Sequence, residues 1–289
     1  MTGSVAFVGL GNMGGPMSAR LVRAGYDVRG FDVAEPARQA LADAGGTAVA
    51  DLADAIRDAS VVVLMLPDSD AVEATVHDGR FTVEPGAVVV DMSSSEPTRT
   101  RALAAELEGR GVTLVDAPVS GGVSRARSGE LTIMTGGEPA ALDRIAPLLA
   151  HLGTAVRAGP VGSGHAVKAL NNLLSATHLL VTCEAILAGE RFGLDPATML
   201  AIFNRSSGRS GSTEHKWPSF ILPGTFDSGF ALRLMLKDVR IATALADQVG
   251  APDPLGHAAA ELWGRAAEAL DATADHTEIV NWLREDRPR

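Results

Sequence analysis

The chain has 289 residues, 46% of them hydrophobic, and a formal charge of −10; that much apolar chain favours two domains over one, and an acidic chain without a Lys/Arg stripe is a poor partner for nucleic acid. Its single cysteine, Cys183, excludes an intramolecular disulfide and suits a reducing compartment. With no basic leader ahead of an apolar run, and no continuous apolar stretch near the ~18 residues a bilayer demands, a cytoplasmic protein without a membrane partner is expected.

The first half alternates short β-branched runs with helical patterns. Strands are predicted at 4–9, 27–32, 60–66, 87–91 and 111–115, with two more at 131–135 and 155–158. The runs "VVVLML" and "AVVVDM" are continuously apolar, as parallel strands covered on both faces must be. Helical stretches such as 13–24 and 97–108 lie between them, so the grammar is βαβ and the expected architecture is an α/β Rossmann domain with a doubly wound, mostly parallel sheet. After Gly164 the period turns helical. One long helix is predicted from 165 to about 189, then shorter ones at 196–204, 212–220, 231–249, 254–269 and 277–284. The expected domains are therefore 1–161, nucleotide-binding, and 162–289, a long connecting helix with an all-α substrate and oligomerisation domain. The closing "REDRPR" is expected to be a solvated tail.

Gly9-Leu10-Gly11-Asn12-Met13-Gly14 is a G-x-G-x-x-G that follows a strand and opens a helix, the setting in which this pattern has meaning. Gly9 permits the tight turn, Gly11 lets a pyrophosphate approach the backbone, and Gly14 lets helix and strand pack closely. Free N–H groups at the helix start then face the phosphates. Asp32 ends the second strand ~20 residues on, where a carboxylate binds ribose hydroxyls and repels a 2′-phosphate. NAD is favoured on that ground, with NADP the alternative because Arg29 and Arg38 stand near. Leu66, Pro67 and Ser94 follow later strands and are expected beside the dinucleotide, since ligands gather at the carboxyl edge of such sheets.

Two further stretches carry chemistry. "DAPVSGG" sets Ser120, Gly121 and Gly122 beyond a strand end, where a hydroxyl and unhindered N–H groups make either a carboxylate cradle or an ordinary turn. "GSGHAVKALNNLL" puts Lys168 and Asn172 one helical turn apart on an otherwise apolar stripe. Taken from the helix alone, these are a snorkelling lysine and a surface amide.

With "GLGNMG", "DAPVSGGVSRARSGELTIMTGG", "GSGHAVKALNNLL" and "LMLKD" in order, the chain resembles the β-hydroxyacid dehydrogenase family over nearly its whole length. The resemblance implies NAD(P)-linked oxidation of an alcohol β to a carboxylate, or the reverse reduction, usually in a homodimer or homotetramer. It implies that Ser120, Gly121 and Gly122 hold the carboxylate of a small acid substrate. Lys168 becomes the general acid/base, aided by Asn172. A lysine near its ordinary value of ~10.4 accepts protons poorly at neutral pH, and burial beside a cationic nicotinamide would lower that value. Lys237, steadied by Asp238, is expected to reach cofactor and substrate, and Phe230 to line the pocket.

Imine reductases are the nearest competing reading, and they usually carry another residue where Lys168 stands. Decarboxylating 6-phosphogluconate dehydrogenases are longer and need a set of phosphate-binding arginines. A dinucleotide-holding interaction module would lack the lysine. No metal is expected, because His165, His178 and Glu184 have no clear ligand spacing. Cys183 reads as a small buried apolar residue. Residues 204–218 form either a loop over the substrate or a solvated connection.

Overall fold

The computed structural model describes residues 4–285; the last four residues of the expected tail lie outside them. The chain divides into two compact units, Met1–Lys168 and Ala169–Arg289. This division follows packing, whereas a boundary at 161/162 marks where the strand-rich part of the chain stops.

The first unit holds β1 (Ser4–Val8), α1 (Gly14–Arg23), β2 (Asp27–Phe31), α2 (Glu35–Asp43), β3 (Thr47–Val49), α3 (Leu52–Ile56), β4 (Val61–Leu64), α4 (Ser69–Val76), β5 (Val88–Asp91), α5 (Pro97–Glu108), β6 (Thr113–Asp116), β7 (Val119–Ser120), α6 (Gly122–Ser128), β8 (Leu131–Gly136), α7 (Pro139–Ala150) and β9 (Gly153–Gly159). They form one nine-stranded sheet in the order β3-β2-β1-β4-β5-β6-β8-β7, with β9 pairing β8. Strands β1 to β6 pair in parallel, which confirms the Rossmann reading. The order reverses between β1 and β4, the switch point where such sheets bind ligands. Val5 and Phe7 face one apolar layer, with Met17 and Leu21 of α1 and Leu142 and Ile145 of α7. Ala6 and Val8 face the other, with Ile56 of α3 and Leu103 and Leu107 of α5. That two-sided burial explains why these strands are apolar throughout.

Three features were not foreseen. β3 is a short, half-buried edge strand. β8 runs antiparallel to β6 and β7. Ser120 stands beyond the end of β6, as expected, but is itself the last residue of a further two-residue strand, β7, opposite Thr132. A two-residue strand leaves no periodicity to read.

The long helix is α8, Ser163–Phe192. One expectation is corrected here. An 18-residue window of α8 has a mean hydropathy of 1.3, which by length and composition alone is enough to cross a membrane. The excess of apolar residues has a packing cause: Ala176, Leu179, Leu180, Cys183, Ile186 and Leu187 sit in the core of the second unit.

That unit continues with α9 (Pro196–Phe203), a π-helical segment at Ser212–Ile221, α10 (Leu232–Val249), α11 (Pro254–Ala269), a 3-10 turn at His276–Glu278 and α12 (Ile279–Glu285). All three tryptophans, Trp217, Trp263 and Trp282, lie in its core. Asp195 and Asp253 cap α9 and α11 by accepting N–H bonds from Thr198 and Gly256, each ahead of a proline that suits a first helical turn. The stretch predicted as an α-helix at 212–220 is wider than that, since Leu222 N–H donates to the Trp217 carbonyl five residues back. Pro218 inside it has no N–H to offer a four-residue ladder.

Candidate active site

The glycine loop leaves β1 at the switch point. A Cβ on Gly9 would lie 2.3 Å from the Met65 carbonyl oxygen, and one on Gly14 would lie 1.9 Å from that of Gly9. Both positions are closed in by protein. A Cβ on Gly11 would meet nothing within 4 Å, so the loop's open side is at the middle glycine. Leu10 is buried, Asn12 exposed and Met13 half-buried. These residues fit the phosphate bridge of a dinucleotide, with room where that bridge approaches and tight packing on the other side.

Asp32 follows β2. One of its oxygens accepts from Leu10 N–H at 2.7 Å and the other from Ala34 N–H at 2.8 Å. Each oxygen keeps a further lone pair, enough to accept from a diol. The two arginines named beside it differ. Arg29 turns to Ser4 Oγ at 2.7 Å and to the Asp54 carbonyl. Arg38 donates to the carbonyl oxygen of Asp32 at 2.7 Å and so stays at the strand end. Leu66 and Pro67 follow β4, and Ser94 follows β5, all at the carboxyl edge. Leu66 N–H donates to Ser93 Oγ at 2.9 Å, tying the two edge turns together.

Ser120 is half-buried, and Gly121 and Gly122 are exposed with φ of 130° and 68°, conformations suited to glycine. They are not equally open. A Cβ on Gly121 would run into the Arg125 side chain at 2.6 Å, whereas Gly122 has nothing within 4 Å.

Lys168 is buried, with 9% of its surface exposed. The start of its helix is fixed by Asp116, at the end of β6. One carboxylate oxygen accepts from Gly162 N–H at 2.6 Å and the other from His165 N–H at 2.8 Å. Burial raises the Asp116 carboxyl above the usual carboxylate range, while the His165 ring and these N–H groups pull it back. Gly136 and Gly164 make room: a Cβ on either would come within 3 Å of an Asp116 oxygen. Of the residues set aside as metal ligands, His165 is buried and hydrogen-bonded, and His178 and Glu184 are exposed. No group of three or more His, Cys, Asp or Glu side chains among the described residues is arranged to hold a metal.

In the second unit, Asn172 is buried and its Nδ2 donates to Asp238 Oδ2 at 2.6 Å. The other Asp238 oxygen lies 3.4 Å from Lys237 Nζ. Asp238 therefore steadies two expected site residues rather than Lys237 alone. Phe230 is half-buried, packed on that unit's core and edge-on to His276. Asp116, His165 and the Asn172–Asp238 bond were missed as functional features. Their signal was present in "TLVDAPV" and "LMLKD", where a carboxylate interrupts an apolar run and must find a buried partner.

Two family models match consecutive parts of the chain: the NAD binding domain of 6-phosphogluconate dehydrogenase over residues 4–162, and the NAD-binding domain of NADP-dependent 3-hydroxyisobutyrate dehydrogenase over residues 162–283. The mitochondrial 3-hydroxyisobutyrate dehydrogenase of Homo sapiens is 36% identical over 98% of this chain and 87% of that protein. The chain belongs to the 3-hydroxyisobutyrate dehydrogenase, or β-hydroxyacid dehydrogenase, family. An NAD-dependent L-serine dehydrogenase of Pseudomonas aeruginosa is 37% identical over 90% of each chain. The structure of 3-hydroxyisobutyrate dehydrogenase from Mycobacterium tuberculosis with L-serine superposes with a TM-score of 0.92, at 33% identity, covering 98% of this chain and all of that one. The protein is an NAD(P)-dependent β-hydroxyacid dehydrogenase acting on CH–OH donors, and its substrate is a small hydroxyacid.

Proposed function

We propose that the enzyme interconverts a small β-hydroxyacid of the 3-hydroxyisobutyrate type and its semialdehyde, with NAD as preferred cofactor and Lys168 as general acid/base. The observation that carries this reading is the burial of Lys168 on the capped first turns of α8, because a largely buried lysine beside bound substrate is suited to exchanging a proton with it. NAD(P), held by the 9–14 loop and Asp32, would accept or supply the hydride. In oxidation the Lys168 amine takes the alcohol proton; in reduction the ammonium polarises the carbonyl and returns that proton to its oxygen. Ser120 Oγ and the Gly121 and Gly122 N–H groups hold the carboxylate. Asn172, oriented by Asp238, contacts the reacting region without competing for the proton, and Lys237 and Phe230 bound the pocket. Gly9 to Gly14 seat the pyrophosphate, Asp32 the ribose, and Leu66, Pro67 and Ser94 flank the dinucleotide.

Lys168→Ala is expected to bind NADH normally while kcat falls about 100- to 10,000-fold; near-normal turnover would refute the assignment. Asp32→Ala should raise KM for NAD far more than for NADP. Profiling kcat/KM with both cofactors on 3-hydroxyisobutyrate, L-serine and longer β-hydroxyacids identifies the substrate.

The same reading includes a homodimer or homotetramer. Leu170, Leu174 and Val181 on α8 are 43%, 59% and 54% exposed, an apolar stripe at helical spacing that a second copy would cover. Leu174→Glu should lower the mass measured by light scattering, and an unchanged mass would count against this surface.

A further inference from the structure

His165 is buried with its ring fully enclosed, yet the start of α8 does not need it. Asp116 already accepts the two helix-start N–H bonds. The ring does something else. Its Nε2 lies 3.1 Å from the Ser93 carbonyl oxygen and its Nδ1 lies 2.9 Å from Thr100 Oγ1. A carbonyl only accepts, so Nε2 carries a hydrogen and donates it. Ser93 is held in turn: its N–H donates to Asp91 Oδ1 at 2.9 Å, and Ser95 Oγ donates to Asp91 Oδ2 at 2.9 Å. Ser93 Oγ accepts from Leu66 N–H at the cofactor edge. The charged groups facing the ring are Asp91 from the end of β5, 3.7 Å from Nε2, and Asp116 from the end of β6, 3.9 Å from Nδ1. Asp91, Ser93, Ser95, Thr100 and Asp116 are all buried.

Lys168 follows His165 by three residues and stands on the same side of the helix, one turn on. We propose that His165 is a positioning residue, whose ring ties the helical turn carrying Lys168 to the Ser93 turn at the cofactor edge. The inference rests on the assignment of Lys168 as general acid/base. One continuous hydrogen-bonded line, from Leu66 N–H through Ser93 and His165 to α8, then sets the height and rotation of the lysine relative to the nicotinamide. Buried polar groups in such a line have no water to replace a lost partner, so removing the ring releases the turn.

The test uses the full-length enzyme and four variants: His165→Leu, His165→Gln, Thr100→Val and Lys168→Ala as benchmark. NADH affinity, kcat, KM, the pH profile of kcat and the melting temperature are measured for each. His165→Leu should lower kcat about 100-fold while NADH affinity stays within about threefold, because a displacement near 1 Å costs that much in the reacting geometry. The pH limb of kcat should shift in His165→Leu, an effect that loss of stability alone does not produce. His165→Gln, whose amide can donate to the Ser93 carbonyl, should recover at least about a tenth of the parent rate, and Thr100→Val should show a smaller loss with the same pattern. The inference is overturned if His165→Leu keeps kcat within about threefold of the parent, or if glutamine is no better than leucine and cofactor affinity falls alongside kcat. Should His165→Leu fail to fold, full activity in both His165→Gln and Thr100→Val overturns it. Turnover in Lys168→Ala would instead remove the acid/base assignment, a separate outcome.

Discussion

The side-chain amide of Asn172 and the carboxylate of Asp238 meet at 2.6 Å across 66 residues of sequence. Asp238 also faces Lys237, so one buried carboxylate orients an amide and an ammonium expected at the reacting centre. Asp238→Ala removes this carboxylate from both. We expect kcat/KM to fall and the fold to lose about 1–3 kcal/mol, the cost of leaving the buried Asn172 side-chain N–H without its acceptor. Steady-state kinetics and urea melts check this; parent-like kinetics in that variant would show the pairing to be inert.

The three loop glycines should separate stability from cofactor binding. Gly14→Ala forces a methyl to within 1.9 Å of a backbone oxygen and should destabilise the first unit by about 1–3 kcal/mol or more. Gly11→Ala meets no protein atom within 4 Å, so its melting temperature should match the parent while NADH binding weakens. If Gly11→Ala binds NADH normally, the open side of the loop is not where the phosphates sit.

Lys216 gives the second unit a pH dependence of definite sign. Its Nζ donates to Ser175 Oγ at 2.8 Å, and burial pushes the ammonium down from 10.5 to about 8, against a weaker opposing pull from Asp275. Below about pH 8 both folded and unfolded chains hold the proton, and the cost of burying the charge is fully present. Between about 8 and 10.5 the unfolded chain binds more protons here, so this group's contribution to stability rises with pH. Lys216→Met should therefore lose ground to the parent in urea midpoints as pH climbs through that window; a constant offset would contradict the shift.

Cys183 should be inert in the native protein. It is fully buried, and burial pushes its thiol up to about 12, so almost no thiolate is present at pH 8. Iodoacetamide should leave the folded enzyme unlabelled and modify one site once denaturant is added. Rapid native labelling would mean that the helical core opens readily.

Much of this was written in local pattern. The unbroken apolar run of Val5 to Val8, the glycines of the loop and Asp32 carry their meaning within a few residues, as do Pro196 and Pro254 with the aspartates that cap their helices. What escaped was long-range. No periodicity announces that Asp116 reaches Gly162, or that Asp238 reaches Asn172, because the partner lies 46 or 66 residues away. The antiparallel turn of β8 is equally hidden: its apolar alternation suits either direction, and only its pairing with β6 and β7 decides it. Pro218 was visible, but a helical period with a proline inside it does not say whether the chain will break or widen.

The Asp116 corner bears on any effort to change what this enzyme turns over. Gly136 and Gly164 press against its carboxylate so closely that neither has space for a methyl group, and Gly162 is held in a left-handed turn with φ of 87°. Variation introduced at those four positions would abolish the mounting of the lysine before any new specificity could be sampled. Libraries aimed at other acids should leave that corner untouched.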